Sequence, residues 1–381
     1  MTTAIENMFK DKVLGHPAGL FVLFFTEMWE RFSYYGMRAL LVMFFTASLL
    51  DGGWGWPREH AYAIFGTYTS LVYLSTLLGG YFADKKIGYR YAVAIGALLM
   101  TLGHGAMAIE TPFFIYLGLT LLVFGSGFFK PNMTSIISKM YADKPEKKDG
   151  AYTIFYMGVN AGAFLGILLC GYLGETIGWS WGFGVAGIFM LFGLLQFWFA
   201  QDIFGSIGLK PSVEIDETID TSLDENKLNP FTPFQLTLIA ISSVLGLAWI
   251  LNDPVAKISD GKYNLFNFEA FGMSGPNIII IFALILFIML LFIRIPKYTR
   301  IIRDRMIAVV FFAFITIFFW AIFEQFFPPT ALAIGGSRSC FCSTLVAPWP
   351  DPGPRWCPRR GAPTGVAREI AFLWTKMRSE T

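Results

Sequence analysis

The hydrophobic positions of this chain gather into nine runs, 19–50, 61–83, 91–109, 113–131, 152–173, 181–200, 234–251, 277–295 and 306–327. About 20 predominantly apolar residues cross the ~30 Å hydrocarbon core of a bilayer as one helix, so the pattern predicts an all-α polytopic membrane protein. The loop Asp51-Gly-Gly-Trp-Gly-Trp-Pro57 is turn-rich and aromatic, which suits a membrane interface. Between 201 and 230 the chain turns polar and acidic (Glu214, Asp216, Glu217, Asp220, Asp224, Glu225), the composition of a solvated linker. The predicted organisation is a six-helix bundle over 1–201, an acidic linker over 202–233 and a transmembrane hairpin over 234–296. A basic loop with one further helix over 297–326 and a tail over 327–381 complete it.

An internal repeat divides the bundle. Gly80-Tyr81-Phe-Ala-Asp84-Lys-Lys-Ile87-Gly88-Tyr89 recurs as Gly171-Tyr172-Leu-Gly-Glu175-Thr-Ile177-Gly178-Trp179 with one residue deleted. The copies follow the second and fifth runs, so the repeating unit is three helices, and an odd number of crossings inverts the second unit. Lys85, Lys86, Arg90, Lys139, Lys144, Lys147 and Lys148 follow the even runs, whereas the loops after runs one, three and five hold almost only Arg58. The positive-inside bias therefore places the N-terminus in the cytoplasm.

Composition narrows the class. Only 15% of residues are charged and 55% are hydrophobic, against about 25% charged in soluble domains. A net charge of +2 gives no reason to expect a nucleic-acid partner. The polar first 13 residues and the long, charged first run argue against a cleavable leader. The four cysteines make neither a disulfide framework nor a zinc spacing, and no phosphate loop or nucleophile triad is present, so neither an enzyme nor a cofactor is expected. His16, His60 and His104 are dispersed, and His104 reads as a packing residue.

The candidate chemistry lies inside the first run. At 100° per residue, Glu27, Glu30, Arg31, Tyr34 and Arg38 share about a third of a helix circumference. Each charge at membrane depth costs about 2.5 kcal/mol or more, so the stripe must face a bundle interior or a wet cavity. A structural ion pair joining the first helix to the fourth is one reading. The other is a proton-responsive cluster, because desolvation raises a carboxylate's proton affinity while Arg31 lowers it. Lys130, followed by Pro131 and Asn132, reads as a kinked, cavity-facing site, with a snorkelling interfacial lysine as the alternative.

Glu27-Met-Trp-Glu30-Arg31-Phe-Ser-Tyr34-Tyr35-Gly resembles the E-x-x-E-R-F-x-Y-Y-G signature of the proton-coupled oligopeptide transporter (POT/PTR) family, within the major facilitator superfamily. Phe124-Gly-Ser-Gly-Phe-Phe-Lys130-Pro131-Asn132 is similar to its helix-four motif, and Phe319-Trp320-Ala-Ile-Phe-Glu324-Gln325 to its helix-seven motif. The loop from Asp84 to Arg90 resembles one in which an acid and basic residues lock two helix ends. The resemblance implies proton-driven import of di- and tripeptides by alternating access in a multi-pass inner-membrane protein, powered by the proton gradient without a cofactor. Its partners are small peptides, protons and the lipid bilayer. It assigns proton coupling to Glu27, Glu30, Arg31 and Lys130, peptide binding to Tyr34, Tyr35, Arg38, Tyr73 and Asn160, and a gate to Arg38 with Glu324. Runs seven and eight match a hairpin inserted between the halves of bacterial members.

The resemblance stops at Gln325. Residues 327–381 are rich in Pro, Arg, Gly, Trp and Cys with no helical or strand period, which suggests a reading-frame slip or recombination near codon 326 and a disordered tail. Without a second half the charged stripe would face lipid or a void, so the 381-residue form is expected not to transport. The alternatives are a same-fold carrier of a non-peptide substrate such as nitrate and a non-transporting membrane fragment.

Overall fold

The computed structural model describes the backbone of residues 12–13, 15–210 and 230–326, with side chains of 15–210 and 230–320. The tail and most of the acidic linker lie outside the described residues. Helix α1 runs Ala18–Thr46, α2 Arg58–Phe82, α3 Tyr89–Met107, α4 Pro112–Met140, α5 Lys148–Thr176 and α6 Trp179–Phe199. A hairpin of α7 (Pro233–Ile258) and α8 (Gly275–Arg294) follows, and then α9 (Arg300–Phe326). Two small antiparallel pairs, β1 (Lys12–Val13) with β2 (His16–Pro17) and β3 (Glu269–Ala270) with β4 (Met273–Ser274), are the strands among the described residues. By length and composition α2, α4, α5, α6, α7 and α8 can cross a membrane. Helix α1 is as long, but Glu27, Glu30, Arg31 and Arg38 make it too charged to qualify on hydropathy alone.

The first six helices form one bundle, in which α1 lies against α5 and α6, α3 against α4 and α6, and α2 against α4. Lipid is as apolar as leucine, so helices associate where small residues let backbones approach. On α5 a small residue recurs every fourth position. A Cβ at Gly158 would fall 2.9 Å from the Phe24 carbonyl oxygen, and one at Gly166 2.8 Å from Phe32 Cα. On α1, a Cβ at Gly36 would fall 2.5 Å from Cys170 Sγ. Gly162 sits between these contacts, against the Met28 carbonyl and Arg31 Cβ. The hairpin leans on the bundle through α2, where the Thr67 hydroxyl donates to the Ile250 carbonyl at 3.1 Å.

The sequence repeat has a structural counterpart. Gly88 and Gly178 each cap the following helix with positive φ (+81° and +148°), and each N–H reaches back five residues, to the Ala83 and Leu173 carbonyls. The extra residue of the first copy is taken up by a π-helical turn, Ala83–Ile87, the usual result of a one-residue insertion into a helix. The expected lock of acid and base across this loop takes another form. Asp84 accepts a hydrogen bond from the Tyr89 hydroxyl at 2.7 Å, while the buried Arg90 guanidinium donates to the Gly205 and Ile207 carbonyls. Arg90 thereby ties the chain leaving α6 back to the start of α3.

The N-terminal turn is tied down at His16, whose Nδ1 lies 2.7 Å from the Tyr141 hydroxyl at the end of α4. Partial burial, then the charge of Lys147, hold the His16 pKa below its ordinary value. With a lowered folded-state pKa, this contact contributes stability above the unfolded value of about 6.5 and loses it as pH falls through the folded one. Acidification from pH 7.5 to 5 should therefore lower the protection of the Gly15 and His16 amides against exchange. Exchange that, once corrected for intrinsic rates, does not respond to pH would reject the anchor.

Candidate functional site

Helix α1 is continuous through its charged stretch, so the predicted stripe survives as one face. Arg31 Nε lies 2.8 Å from Glu27 Oε1 and 2.5 Å from Glu30 Oε2. All three side chains are buried, at 5%, 0% and 7% exposure for Glu27, Glu30 and Arg31. Both ion pairs lie within α1, so these three side chains pair among themselves rather than forming the structural ion pair to the fourth helix that is the alternative reading. The expectation that the stripe faces lipid or a void is also overturned for this triad. The α5 glycine ridge brings backbone against Met28 and Arg31 and closes one side, without any later helix.

The positive charge of α4 reaches the same place by another route. Lys130 Nζ sits 4.4 Å from the centre of the Tyr34 ring and 5.6 Å from that of Tyr73, so two aromatic faces hold the ammonium. Arg31 approaches the Tyr34 ring too, with Cζ at 5.5 Å. Tyr34 is thus shared by two cations, and Tyr35 packs edge-on against it with ring centres 5.3 Å apart. Electrostatic interaction joins Lys130 to Glu27, Glu30 and Arg31. One cluster therefore collects two carboxylates, two cations and three phenols from α1, α2 and α4.

Tyr73 forms the exposed rim of this cluster, and the other candidates stand beside or beyond it. The Arg38 guanidinium lies 5.1 Å from the centre of the Phe65 ring and is half-buried. Tyr73 is 63% exposed, and exposed Asn160 donates its amide to the Tyr156 carbonyl one turn earlier on its own helix. Glu324 falls in α9, with its side chain outside the described residues. Asn132 is not cavity-facing. It is buried, and its amide donates to the Phe128 carbonyl at 2.6 Å and the Gly79 carbonyl at 3.4 Å, joining α4 to α2 beside Pro131.

Sequence reasoning missed two residues on α2. Phe65 underlies Arg38, and Tyr68 is buried with its hydroxyl lacking a hydrogen-bond partner among the described residues, within electrostatic reach of Glu30, Tyr34, Arg31 and Arg38. Nothing local in the sequence separates Tyr68 from a packing residue. The α5 ridge, by contrast, was readable from Gly158, Gly162, Gly166, Cys170 and Gly174 at steps of four.

The profile of the POT family matches residues 90–219. A solved structure of a peptide transporter POT in complex with sulfate superposes with a TM-score of 0.62 at 31% identity, covering all of this chain and 73% of that one. The chain belongs to the POT family. Among curated POT relatives, the peptide transporter YePEPT of Yersinia enterocolitica is 33% identical over 314 residues, which cover 82% of this chain and 58% of that protein. The di-/tripeptide transporter of Lactococcus lactis subsp. lactis is 33% identical over 340 residues, 87% of this chain and 64% of that protein. The chain therefore spans about three fifths of the length of these relatives. Its apolar helices make it a multi-pass membrane protein of the major facilitator type.

Proposed function

We propose that this chain supplies the proton-handling and peptide-gripping half of a symporter that imports di- and tripeptides by alternating access. The observation that carries the reading is the buried triad of Glu27, Glu30 and Arg31 beside a lysine held between two tyrosine rings. A proton arriving on either carboxylate removes one of the two negative charges that hold Arg31, so protonation frees a cation that shares the Tyr34 ring with Lys130. Glu30 Oε1 is buried without a hydrogen-bond partner among the described residues, an acceptor poised for that proton. Tyr73 and the partly buried Tyr35 offer rings and hydroxyls to a peptide backbone of any sequence, Tyr34 takes part through the cations on its ring, and Arg38 offers its planar fork to a carboxylate.

The protein would lie in the cell's inner membrane with its N-terminus in the cytoplasm, which the clustering of lysines at the ends of α2 and α4 supports. The relatives, a peptide transporter and a di-/tripeptide transporter, favour peptides over an inorganic anion such as nitrate.

The test joins residues 15–326 to the C-terminal helices of the Lactococcus lactis di-/tripeptide transporter and measures dipeptide uptake in proteoliposomes. Uptake driven by an inward proton gradient, and abolished by an uncoupler, is the expected result. Uptake indifferent to the gradient would remove the proton from the mechanism, and transport of nitrate without dipeptide would replace the substrate. In the same chimera Arg38→Lys keeps the charge and loses the fork, so apparent dipeptide affinity should fall about tenfold, equivalent to ~1.4 kcal/mol. An unchanged half-saturation would take Arg38 out of the site.

A further inference from the structure

The α7–α8 hairpin ends in a turn whose hydrophobic side chains are presented outward. Both enclosing helices are long and apolar enough to cross a membrane, so the turn between them emerges where the hydrocarbon ends. Its shape is fixed from below by two asparagines. Asn252, buried near the end of α7, donates to Asn264 Oδ1 at 3.1 Å and accepts from the Leu265 N–H at 2.8 Å, while Asn264 Oδ1 also accepts from the Phe266 N–H at 2.9 Å. The Gly275 N–H closes the loop onto the Phe268 carbonyl at 2.7 Å.

On that frame Ala270-Phe271-Gly272-Met273 makes a two-residue hairpin with φ +56° at Phe271 and +70° at Gly272. Positive φ at both central positions is the geometry for which Asn-Gly is the favoured pair, and a phenylalanine there is strained. Phe271 is nonetheless 93% exposed and Leu265 72%, with Tyr263 and Phe268 exposed beside them. Backbone strain holds an aromatic ring away from the other described residues.

We propose that this tip is a membrane-interface anchor, with Phe271, Leu265, Tyr263 and Phe268 inserting among the headgroups and first acyl carbons of the leaflet from which the hairpin emerges. Aromatic side chains at that depth hold transmembrane segments in place. The charges nearby are mixed rather than basic: Lys257 pairs with Asp253 at 3.0 Å, and Asp260, Lys262 and Glu269 follow. The anchor therefore needs apolar depth and no particular headgroup charge. It rests on the chain spanning the membrane and is independent of what the protein carries.

The test places p-benzoylphenylalanine at position 271 of the full chain, irradiates it in the membrane and reads the intact mass of the monodisperse, folded fraction. An increment of one phospholipid is expected. A covalent dimer of the chain, an adduct with another protein, or no adduct would overturn the anchor. A second variant decides by sign. Phe271→Asn suits the positive φ better, so it should raise the melting temperature if the ring has no partner. Anchoring requires instead that it lower the melting temperature of the full chain in phospholipid nanodiscs by a few degrees, and an unchanged or raised value rejects it.

Discussion

Gly162→Leu should eliminate folded protein, so that the full chain no longer runs as a monodisperse species in size-exclusion chromatography. A Cβ at this position would press into the Met28 carbonyl oxygen and lie 3.0 Å from Arg31 Cβ. A carbonyl in the middle of a helix cannot turn aside as a side-chain end can. The helices would have to separate, and the neighbouring close approaches at Gly158, Gly166 and Gly36 would separate with them. Overpacking alone costs about 1–3 kcal/mol. Here it would also open the Glu27–Arg31–Glu30 triad to lipid, where each charge left unpaired adds about 2.5 kcal/mol or more. Gly105→Ala is the matched control, because no heavy atom lies within 4 Å of its added Cβ. A well-folded Gly162→Leu chain would mean that α1 and α5 can move apart at little cost, and the account of what buries the triad would fail.

Lys130→Ala, in the chimera described above, should reduce gradient-driven dipeptide accumulation at least about tenfold while sparing peptide counterflow. Lys130 is the one cation that α4 contributes to the cluster, and it interacts with both carboxylates and with Arg31. With the ammonium gone, protonation of Glu27 or Glu30 is no longer felt by a cation on α4. On the proposed reading, exchange of peptide for peptide uses the tyrosines and Arg38 without net proton movement, so it should persist. Glu30→Gln should give the same separation of the two assays. Accumulation that still follows the gradient in either variant would make the charges structural.

The stripe on α1 was legible because helical spacing alone sets which of its residues share a face, and α1 proved continuous from Ala18 to Thr46. What those charges do with one another was not legible. Spacing allowed Arg31 to reach Glu27, yet whether Lys130 would pair with a carboxylate or rest between rings depended on where α4 lies beside α2. Asn132 shows the same limit, since a polar residue after Pro131 suits a cavity and a helix contact equally well until Gly79 of α2 is found against it.

Hydropathy, charge placement and the glycine-punctuated repeat fixed the helical membrane class, the helices and the two related triplets. Each is a property of consecutive residues, and transfer into lipid leaves a chain little choice but to satisfy its backbone within each helix. The tertiary structure alone decided that α5 packs on the triad, that Tyr68 lies within reach of it and Phe65 under Arg38, and that Arg90 grips backbone carbonyls of the chain leaving α6. Those outcomes follow from which helices lie side by side, and the partners are as near in sequence as Arg38 and Phe65 or as far as Arg90 and Ile207, so no spacing along the chain encodes them.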